Sequence, residues 1–214
     1  VIDDITNDRL TNIEKTYFVA AGFIKGWTAE EVVSMTKSMV ETGSKLKFPG
    51  VTLDKHCIGG VPGNRTTMIV VPIIAAAGLT IPKTSSRAIT SPAGTADTME
   101  CLTNVEITQT KIKRVVKKVG ACLVHGGSIN LAPADDKIIQ VEHPLSIDAE
   151  GQLLASVMAK KYSVSANHVL IDIPMGPTTK VKNKKQAAHL KKMFEAVGAK
   201  LKMNVKVIVT DGTQ

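Results

Sequence analysis

The pattern of apolar and polar positions divides the chain into stretches of different predicted structure. Up to about residue 43, apolar residues recur at helical spacing, and the pattern breaks at Gly26. The run from Thr28 to Glu31 has the form of a capping box, and it opens a predicted helix that stops at Gly43. The first 43 residues are therefore predicted to be helical.

From Val51 onwards, short apolar runs alternate with helical patterns. We predict strands near 51–54, 80–84 and 121–125, and helices near 65–77, 95–102 and 109–119. Helical patterns return over 134–140 and 148–161, followed by a strand over 168–173, a basic amphipathic helix over 183–197 and a strand over 204–209. Strand–helix alternation of this kind predicts an α/β fold.

A glycine-containing loop follows the first predicted strand. It begins at Asp54, contains Gly59, Gly60 and Gly63, and leads into a helix predicted to start near 64–66. Glycine lets backbone N–H groups approach a ligand closely, and the N-terminus of a helix favours an anion. The Walker pattern is absent from this loop. By itself the loop is compatible with a phosphate site or with an ordinary strand–helix connection.

A second polar loop follows the next predicted strand and strengthens the first interpretation. It contains Lys83, Arg87 and a group of hydroxyl side chains: Thr84, Ser85, Ser86, Thr90, Ser91, Thr95 and Thr98. Hydroxyl and guanidinium groups are the donors that phosphate oxygens need. Because consecutive strand–helix units bring such loops to one edge of a sheet, we expect the two loops to form one anion site.

Composition narrows the class of partner. The 214 residues carry a formal net charge of +8, but only 3% of them are aromatic and no nucleic-acid motif is recognised. A preference for phosphorylated small molecules is therefore favoured over nucleic-acid binding. No apolar run is long enough to span a bilayer, and three cysteines without paired spacing predict a cytoplasmic protein without a disulfide framework.

The amino-acid sequences of these loops resemble those of a known protein family. Asp54-Lys55-His56-x-x-Gly59-Gly60-Val61, Ser85-x-Arg87 and Gly94-Thr95-x-Asp97-x-x-Glu100 are similar to the thymidine/pyrimidine-nucleoside phosphorylase superfamily. Gly-Gly-Val-Pro-Gly-Asn-Arg-Thr-Thr, Asn130 to Asp136, Pro144 to Asp148 and Ser156-x-x-x-Lys160-Lys161 resemble the archaeal AMP phosphorylases more closely. The similarity covers essentially the whole chain.

The resemblance implies an architecture. The expected fold is α/β, with a small all-helical domain and an α/β domain around a central mixed or parallel sheet, as in nucleoside phosphorylases and class II phosphoribosyltransferases. Residues 1–45 and 128–163 would form the helical domain, and 51–127 and 165–214 the α/β domain, with a hinge near 45–50. The chain is expected to be a central fragment, and a homodimer through the helical domain, with larger assemblies in a longer chain, is implied.

The resemblance also implies an activity. The leading hypothesis is phosphorolysis of AMP, and of other nucleoside monophosphates such as CMP and UMP, to the free base and ribose 1,5-bisphosphate. Inorganic phosphate would be the co-substrate, and neither cofactor nor metal is expected. The alternatives are a thymidine or pyrimidine-nucleoside phosphorylase, an anthranilate phosphoribosyltransferase-like enzyme, and a non-catalytic nucleotide-binding or nucleic-acid-binding module.

By the same resemblance, two sets of residues are expected to bind the substrates. The phosphate set is Lys55, Cys57, Thr67, Ser85 and Thr95. The nucleotide set is Gly60, Ser86, Arg87, Ala88, Ile89, Thr90, Ser91, Thr95, Ser156 and Lys180. Cys57 stands where the family usually has serine, and a thiol is a weaker hydrogen-bond donor. We therefore expect weaker phosphate affinity and a site that is sensitive to oxidation.

The expected catalytic residues are Asp148 and Lys160. Asp148 would donate a proton to the departing base, which requires a raised carboxyl pKa, and Lys160 would contact the base. On the residues alone, the favoured interpretation of Asp148 is a member of a helix-start cluster. Asp97 and Glu100 are expected to orient basic side chains rather than to act as acid and base. His143 is a further position at which the base could be recognised.

Overall fold

The structure is a computed structural model, and it describes residues 1–59, 61–63, 65–88, 93–147 and 149–213. Its helices are α1 (Ile2–Thr6), α2 (Asn12–Lys25), α3 (Ala29–Glu41), α4 (Thr66–Ala76), α5 (Thr95–Glu100), α6 (Gln109–Val119), α7 (Pro133–Leu145), α8 (Glu150–Ser163) and α9 (Lys184–Lys200). Its strands are β1 (Leu53–Cys57), β2 (Ile81–Ser85), β3 (Ala121–His125), β4 (His168–Met175) and β5 (Asn204–Asp211).

The strands form two parallel sheets that meet at one point. β4 pairs with both β1 and β5, and β2 pairs with β3. A single parallel bridge between Thr52 and Thr80 joins the two sheets, which gives the spatial order β3-β2-β1-β4-β5. The predicted α/β fold is confirmed, and every described strand pair is parallel. The carboxyl ends of β1 and β2, at Cys57 and Ser85, consequently lie at the same edge.

The helices cover this sheet and also pack against each other. α3 packs on α8, both α1 and α2 pack on α7, and α9 lies against β5 while also touching α3. One continuous core of buried apolar side chains runs through these helices and the β4–α9–β5 unit. The division into a helical and an α/β domain stays a prediction. Among the described helices, none is both long and apolar enough to cross a membrane.

Several helix boundaries differ from those predicted, among them the end of α7 and the start of α8. α7 continues beyond residue 140 to Leu145, because Val141 and Glu142 are still buried against the core, and it ends where Ser146 adopts a left-handed conformation. α8 begins at Glu150 rather than at 148, and its N-cap residue, Ala149, makes no side-chain cap hydrogen bond. The capping box at Thr28 is confirmed.

Three chain segments cross between the helices and the sheet. The N–H groups of Ser44 and Leu46 donate to the carbonyls of Asn130 and Ser163, both at 2.8 Å. The Ser163 hydroxyl donates to the Leu131 carbonyl at 3.1 Å. These hydrogen bonds tie the segment that follows α3 to the segments that precede α7 and end α8. The segment after α3, with Ser44 and Leu46, overlaps the start of the predicted hinge at 45–50.

Candidate active site

A cavity lies at the carboxyl ends of β1 and β2, and α8 forms its opposite wall. Ten of the residues predicted from the sequence line this single cavity: Cys57, Thr67, Ser85, Ser86, Arg87, Ala88, Thr95, Ser156, Lys160 and Lys180. Five further predicted residues lie outside the described residues: Gly60, Ile89, Thr90, Ser91 and Asp148. The structure therefore brings these ten predicted residues together in one cavity, and their roles there stay predictions.

The first loop turns sharply between β1 and α4. Gly59 and Gly63 have φ values of +92° and +71°, a left-handed region that side chains other than glycine seldom adopt. α4 then begins at Thr66, close to the predicted position, and its N-cap residue, Arg65, makes no side-chain cap hydrogen bond. Thr67, in that turn, is buried and lines the cavity. The first turn of α4 therefore borders the cavity, and a helix N-terminus favours an anion.

Lys55 lies directly behind Thr67, on the side of that residue away from the cavity. Its side chain is only 2% exposed, and its Nζ atom is 3.5 Å from the Thr67 hydroxyl oxygen. Burial lowers the pKa of Lys55, and the neighbouring Cys57 and Asp172 act in the opposite direction. A bound phosphate would add negative charge nearby and favour the protonated ammonium.

The second loop is held at both ends by one carboxylate. Asp97 accepts hydrogen bonds from the N–H groups of Ala88 and Gly94, at 2.8 and 2.9 Å. A Cβ atom on Gly94 would lie 2.8 Å from the Ser86 carbonyl oxygen, so the two ends of the loop approach as closely as only glycine permits. The loop backbone is thus fixed on either side of residues 89–92, which are outside the description.

The Arg87 guanidinium is surrounded by acidic side chains. It donates to Glu100 at 2.7 and 2.8 Å, to Glu106 at 3.0 Å and to Asp97 at 3.3 Å. The hydrogen bonds that Arg87 donates to Glu100, followed by the one to Glu106, raise the pKa of Arg87. The expectation that Asp97 and Glu100 orient a basic side chain is confirmed, whereas Glu106 was not predicted. Three carboxylates therefore surround this one positive charge.

Lys160 is anchored on the α8 wall. Its Nζ atom lies 2.5 Å from Asp135 Oδ2 and 2.8 Å from the Ser156 hydroxyl oxygen. Asp135 is 2% exposed and belongs to the first turn of α7. In the sequence Asp135 is one of two acidic residues at a helix start, where a negative charge is ordinarily favourable for the helix. The structure instead pairs it with a lysine in the cavity wall.

A buried ionic cluster lies beneath the cavity and was not predicted. Asp54 is 3% exposed, and its carboxylate lies 3.2 Å from Lys161 Nζ and 3.7 Å from Lys83 Nζ. The contact with Lys161 is close enough for an ion pair but is not aligned for a hydrogen bond. Lys83 also donates to the Thr84 carbonyl. Asp54 and Lys83 lie within strands, and charged residues are seldom fully buried in a protein unless they are paired.

The neighbouring His56 and Cys57 are both held in their neutral forms. Burial, followed by the charges of nearby lysines, moves the pKa of His56 well below its usual range. Burial and Asp172 raise the pKa of the Cys57 thiol. A protonated thiol is a poor nucleophile, so the oxidation sensitivity expected at Cys57 is not supported. Its expected role at the phosphate is unaffected.

The remaining features near the cavity are less specific. His143 is exposed in the last turn of α7 and is absent from the described cavity lining. A second hollow extends from Lys180 along the start of α9, where His189 Nε2 and Glu150 Oε1 are 2.7 Å apart. Among the described residues, no group of histidine, cysteine and acidic side chains is arranged to hold a metal ion.

The buried Lys161 ammonium predicts a pH dependence of stability. Burial lowers its pKa from 10.5 to about 7. Between these values the unfolded chain binds more protons than the folded chain, so the free energy of unfolding should rise with pH. This one group contributes at most about 1.4 kcal/mol per pH unit. Urea unfolding between pH 7 and 10 should show a smaller rise for Lys161→Met than for the wild type. Equal slopes would contradict the prediction.

The amino-acid sequence of this chain is similar to those of several known proteins. A model of the glycosyl transferase family, a/b domain, matches residues 50–183. The chain is 52% identical to an AMP phosphorylase from Methanococcus vannielii and 51% identical to AMP phosphorylase 1 from Archaeoglobus fulgidus, in each case over 100% of this chain and 43% of the relative. A Legionella pneumophila (strain Paris) protein named "putative thymidine phosphorylase" is 49% identical over 100% of this chain and 42% of its own length.

A solved structure also resembles this fold. The crystal structure of anthranilate phosphoribosyltransferase from Thermus thermophilus superposes with a TM-score of 0.78, covering 99% of this chain and 60% of that chain. The sequence identity is 18%, so the likeness concerns the fold alone. The chain spans less than half the length of the curated relatives that it matches.

Proposed function

Because the chain belongs to the glycosyl transferase family, a/b domain, we propose that it is the part of an AMP phosphorylase that holds both substrates. The reaction would convert AMP and inorganic phosphate to adenine and ribose 1,5-bisphosphate. One observation carries the proposal: the polar loops after β1 and β2 face Ser156 and Lys160 of α8 across one cavity. Such a cavity can place an anion and a nucleotide next to each other.

In this proposal the phosphate occupies the β1–α4 side. Thr67, Ser85 and Thr95 offer hydroxyl groups there, Cys57 offers a thiol, and Lys55 supplies positive charge from behind Thr67. The nucleotide lies along the second loop, from Ser86 to Ser91, and reaches Ser156 and Lys180. Charged groups and hydroxyl donors that are already in position before the reaction can stabilise its transition state, which resembles an oxocarbenium ion. No covalent intermediate is then needed.

The chemical step exchanges one bond at the anomeric carbon for another. The bond from C1′ to the base breaks, and a bond from C1′ to a phosphate oxygen forms. The departing base takes up a proton, and we assign Asp148 as its donor on the resemblance alone, since that residue lies outside the description. Lys160, held by Asp135, is positioned to contact the base or its ribose.

A second substrate class has support of its own. The Legionella pneumophila relative is nearly as similar to this chain as the archaeal AMP phosphorylases are. Phosphorolysis of thymidine, a nucleoside without a 5′-phosphate, is therefore the competing candidate. The two candidates differ in whether the site must bind a second phosphate group.

Base release distinguishes these candidates. The full chain should release base from AMP only when phosphate is present, and it should act faster on AMP than on adenosine or thymidine. Measuring free base for each substrate, with and without phosphate, checks this. Equal or faster turnover of thymidine would favour the pyrimidine-nucleoside candidate, and release without phosphate would contradict phosphorolysis altogether.

Calorimetry tests the placement of the nucleotide. AMP titrated into Lys180→Ala should bind at least about tenfold more weakly than to the wild type, because a charged hydrogen bond contributes about 1.5–3 kcal/mol. Lys182→Ala is the matched control, since Lys182 lies two residues away, is exposed, and donates to the Pro177 carbonyl. Equal losses in the two variants would mean that only the general charge of this segment matters.

The proposal includes a homodimer through the helical segment. α2 leaves large apolar side chains exposed, among them Ile13, Tyr17 and Ile24, which would suit a subunit contact. All three cysteines are free thiols, which fits the proposed cytoplasmic location. Inorganic phosphate is a co-substrate in this proposal, and no cofactor is assigned.

A further inference from the structure

The buried cluster beneath the cavity joins three elements through one carboxylate. Asp54 belongs to β1, Lys83 to β2 and Lys161 to α8. None of the three side chains is more than 3% exposed. Asp54 also accepts a hydrogen bond from the N–H group of Lys55, at 2.6 Å. The carboxylate therefore contacts both the backbone of the lysine assigned to phosphate and the helix that forms the opposite wall.

α8 is otherwise held mainly by other helices. Its main packing partners are α3 and α2, with a smaller contact to α9. Ser156 and Lys160 face the cavity from this helix, and Lys161, the next residue, points to the sheet. The ion pair between Lys161 and Asp54 is consequently a direct polar connection between the two walls. In a dry interior, an ion pair has a strong preference for one geometry.

We propose that the Asp54–Lys161 pair, with Lys83, is a positioning element that fixes the α8 wall against the β1–β2 wall. The inference rests on the proposed function, because it matters when a nucleotide on one wall must meet phosphate on the other. Lys161 is a positioning residue: it acts through Asp54 and is absent from the described cavity lining. Misplacement of reacting groups by about 1 Å can lower a rate about 100-fold.

The test compares Lys161→Met with Lys15→Met in the full chain. Methionine keeps an unbranched apolar side chain of similar length and removes the charge. Lys15 is the matched control, because it is also a buried lysine, 5% exposed, but lies on α2 away from the described cavity lining. Thermal unfolding identifies a temperature at which all variants are folded, and kinetics are measured there.

The expected result separates positioning from binding. In Lys161→Met, kcat should fall about 10- to 100-fold, whereas the dissociation constants of AMP and phosphate, measured separately, should change by less than about threefold. The double variant Asp54→Asn/Lys161→Met should lose little more activity than either single variant, because both changes break the same contact. An unchanged kcat in folded Lys161→Met, or fully additive losses, would overturn the proposal.

Failure of the proposed function would be recognised separately. If the wild type releases no base from AMP or thymidine, calorimetry can measure how far bound AMP changes the affinity for phosphate. Loss of that coupling in Lys161→Met, with the coupling kept in Lys15→Met, would still support positioning. Equal coupling in both variants, or none in the wild type, would overturn it.

Discussion

Replacement of Lys55 by methionine is expected to lower kcat/KM for phosphate about 10²- to 10³-fold, the range seen when one well-placed anion-stabilising group is lost. Its ammonium lies 3.5 Å from the Thr67 hydroxyl oxygen, behind the side of the cavity assigned to phosphate. Because the group is buried, mobile ions cannot replace its charge effectively. Initial rates at several phosphate concentrations, with AMP saturating, measure the effect.

The matched control for this variant is Lys47→Met. Lys47 is an exposed lysine on the segment that leads into β1, so the change in net charge is the same but the position differs. Its kcat/KM should stay within about threefold of wild type, since exposed charges are screened. A Lys55→Met enzyme that matches the control would show that phosphate does not use this ammonium.

The largest effect on stability is expected from Gly43→Ala. A Cβ atom there would lie 2.4 Å from the Leu131 carbonyl oxygen and 3.0 Å from that of Asn130. Both contacts are to backbone, and the Ser44 N–H donates to the same Asn130 carbonyl, so the segments cannot separate without losing that hydrogen bond. We expect the free energy of unfolding to fall by about 3 kcal/mol, measured by urea denaturation.

Gly126→Ala provides the comparison for this loss. A Cβ atom on Gly126 would meet no described atom closer than 3.8 Å, and its φ of −68° is accessible to alanine. Its stability should change by less than about 1 kcal/mol, and removal of a glycine can even stabilise a protein through the unfolded state. Similar losses at the two glycines would mean that the close contact at Gly43 relaxes easily.

Local signals explain which parts of the fold were predictable. The capping box at Thr28 and the polar loops between apolar runs depend on residues close together in the chain, so helix and strand positions could be predicted from spacing. The end of α7 was misplaced because burial of Val141 and Glu142 depends on distant partners. The helix propensity of a residue does not depend on residues that are distant in the sequence, so it does not predict this burial.

In the site, too, some features depend on residues that are adjacent in the sequence and others on residues that are distant in it. The order of residues along the chain predicted the α/β fold and the two polar loops that line the cavity, because strand, glycine loop and helix start are adjacent in the sequence. The roles of Asp135 and Glu106 depend on pairing with Lys160 and Arg87, which lie on other elements.

Only the tertiary structure decided how the charges are arranged beneath the cavity. Asp54 and Lys161 are more than a hundred positions apart in the sequence, yet their charged groups lie 3.2 Å apart in the interior. A sequence gives the charge of each side chain, whereas burial and the identity of the neighbour determine its pKa and its partner. The sequence by itself therefore determined which loops form the site, and the packing of α8 on the sheet decided which charges support it.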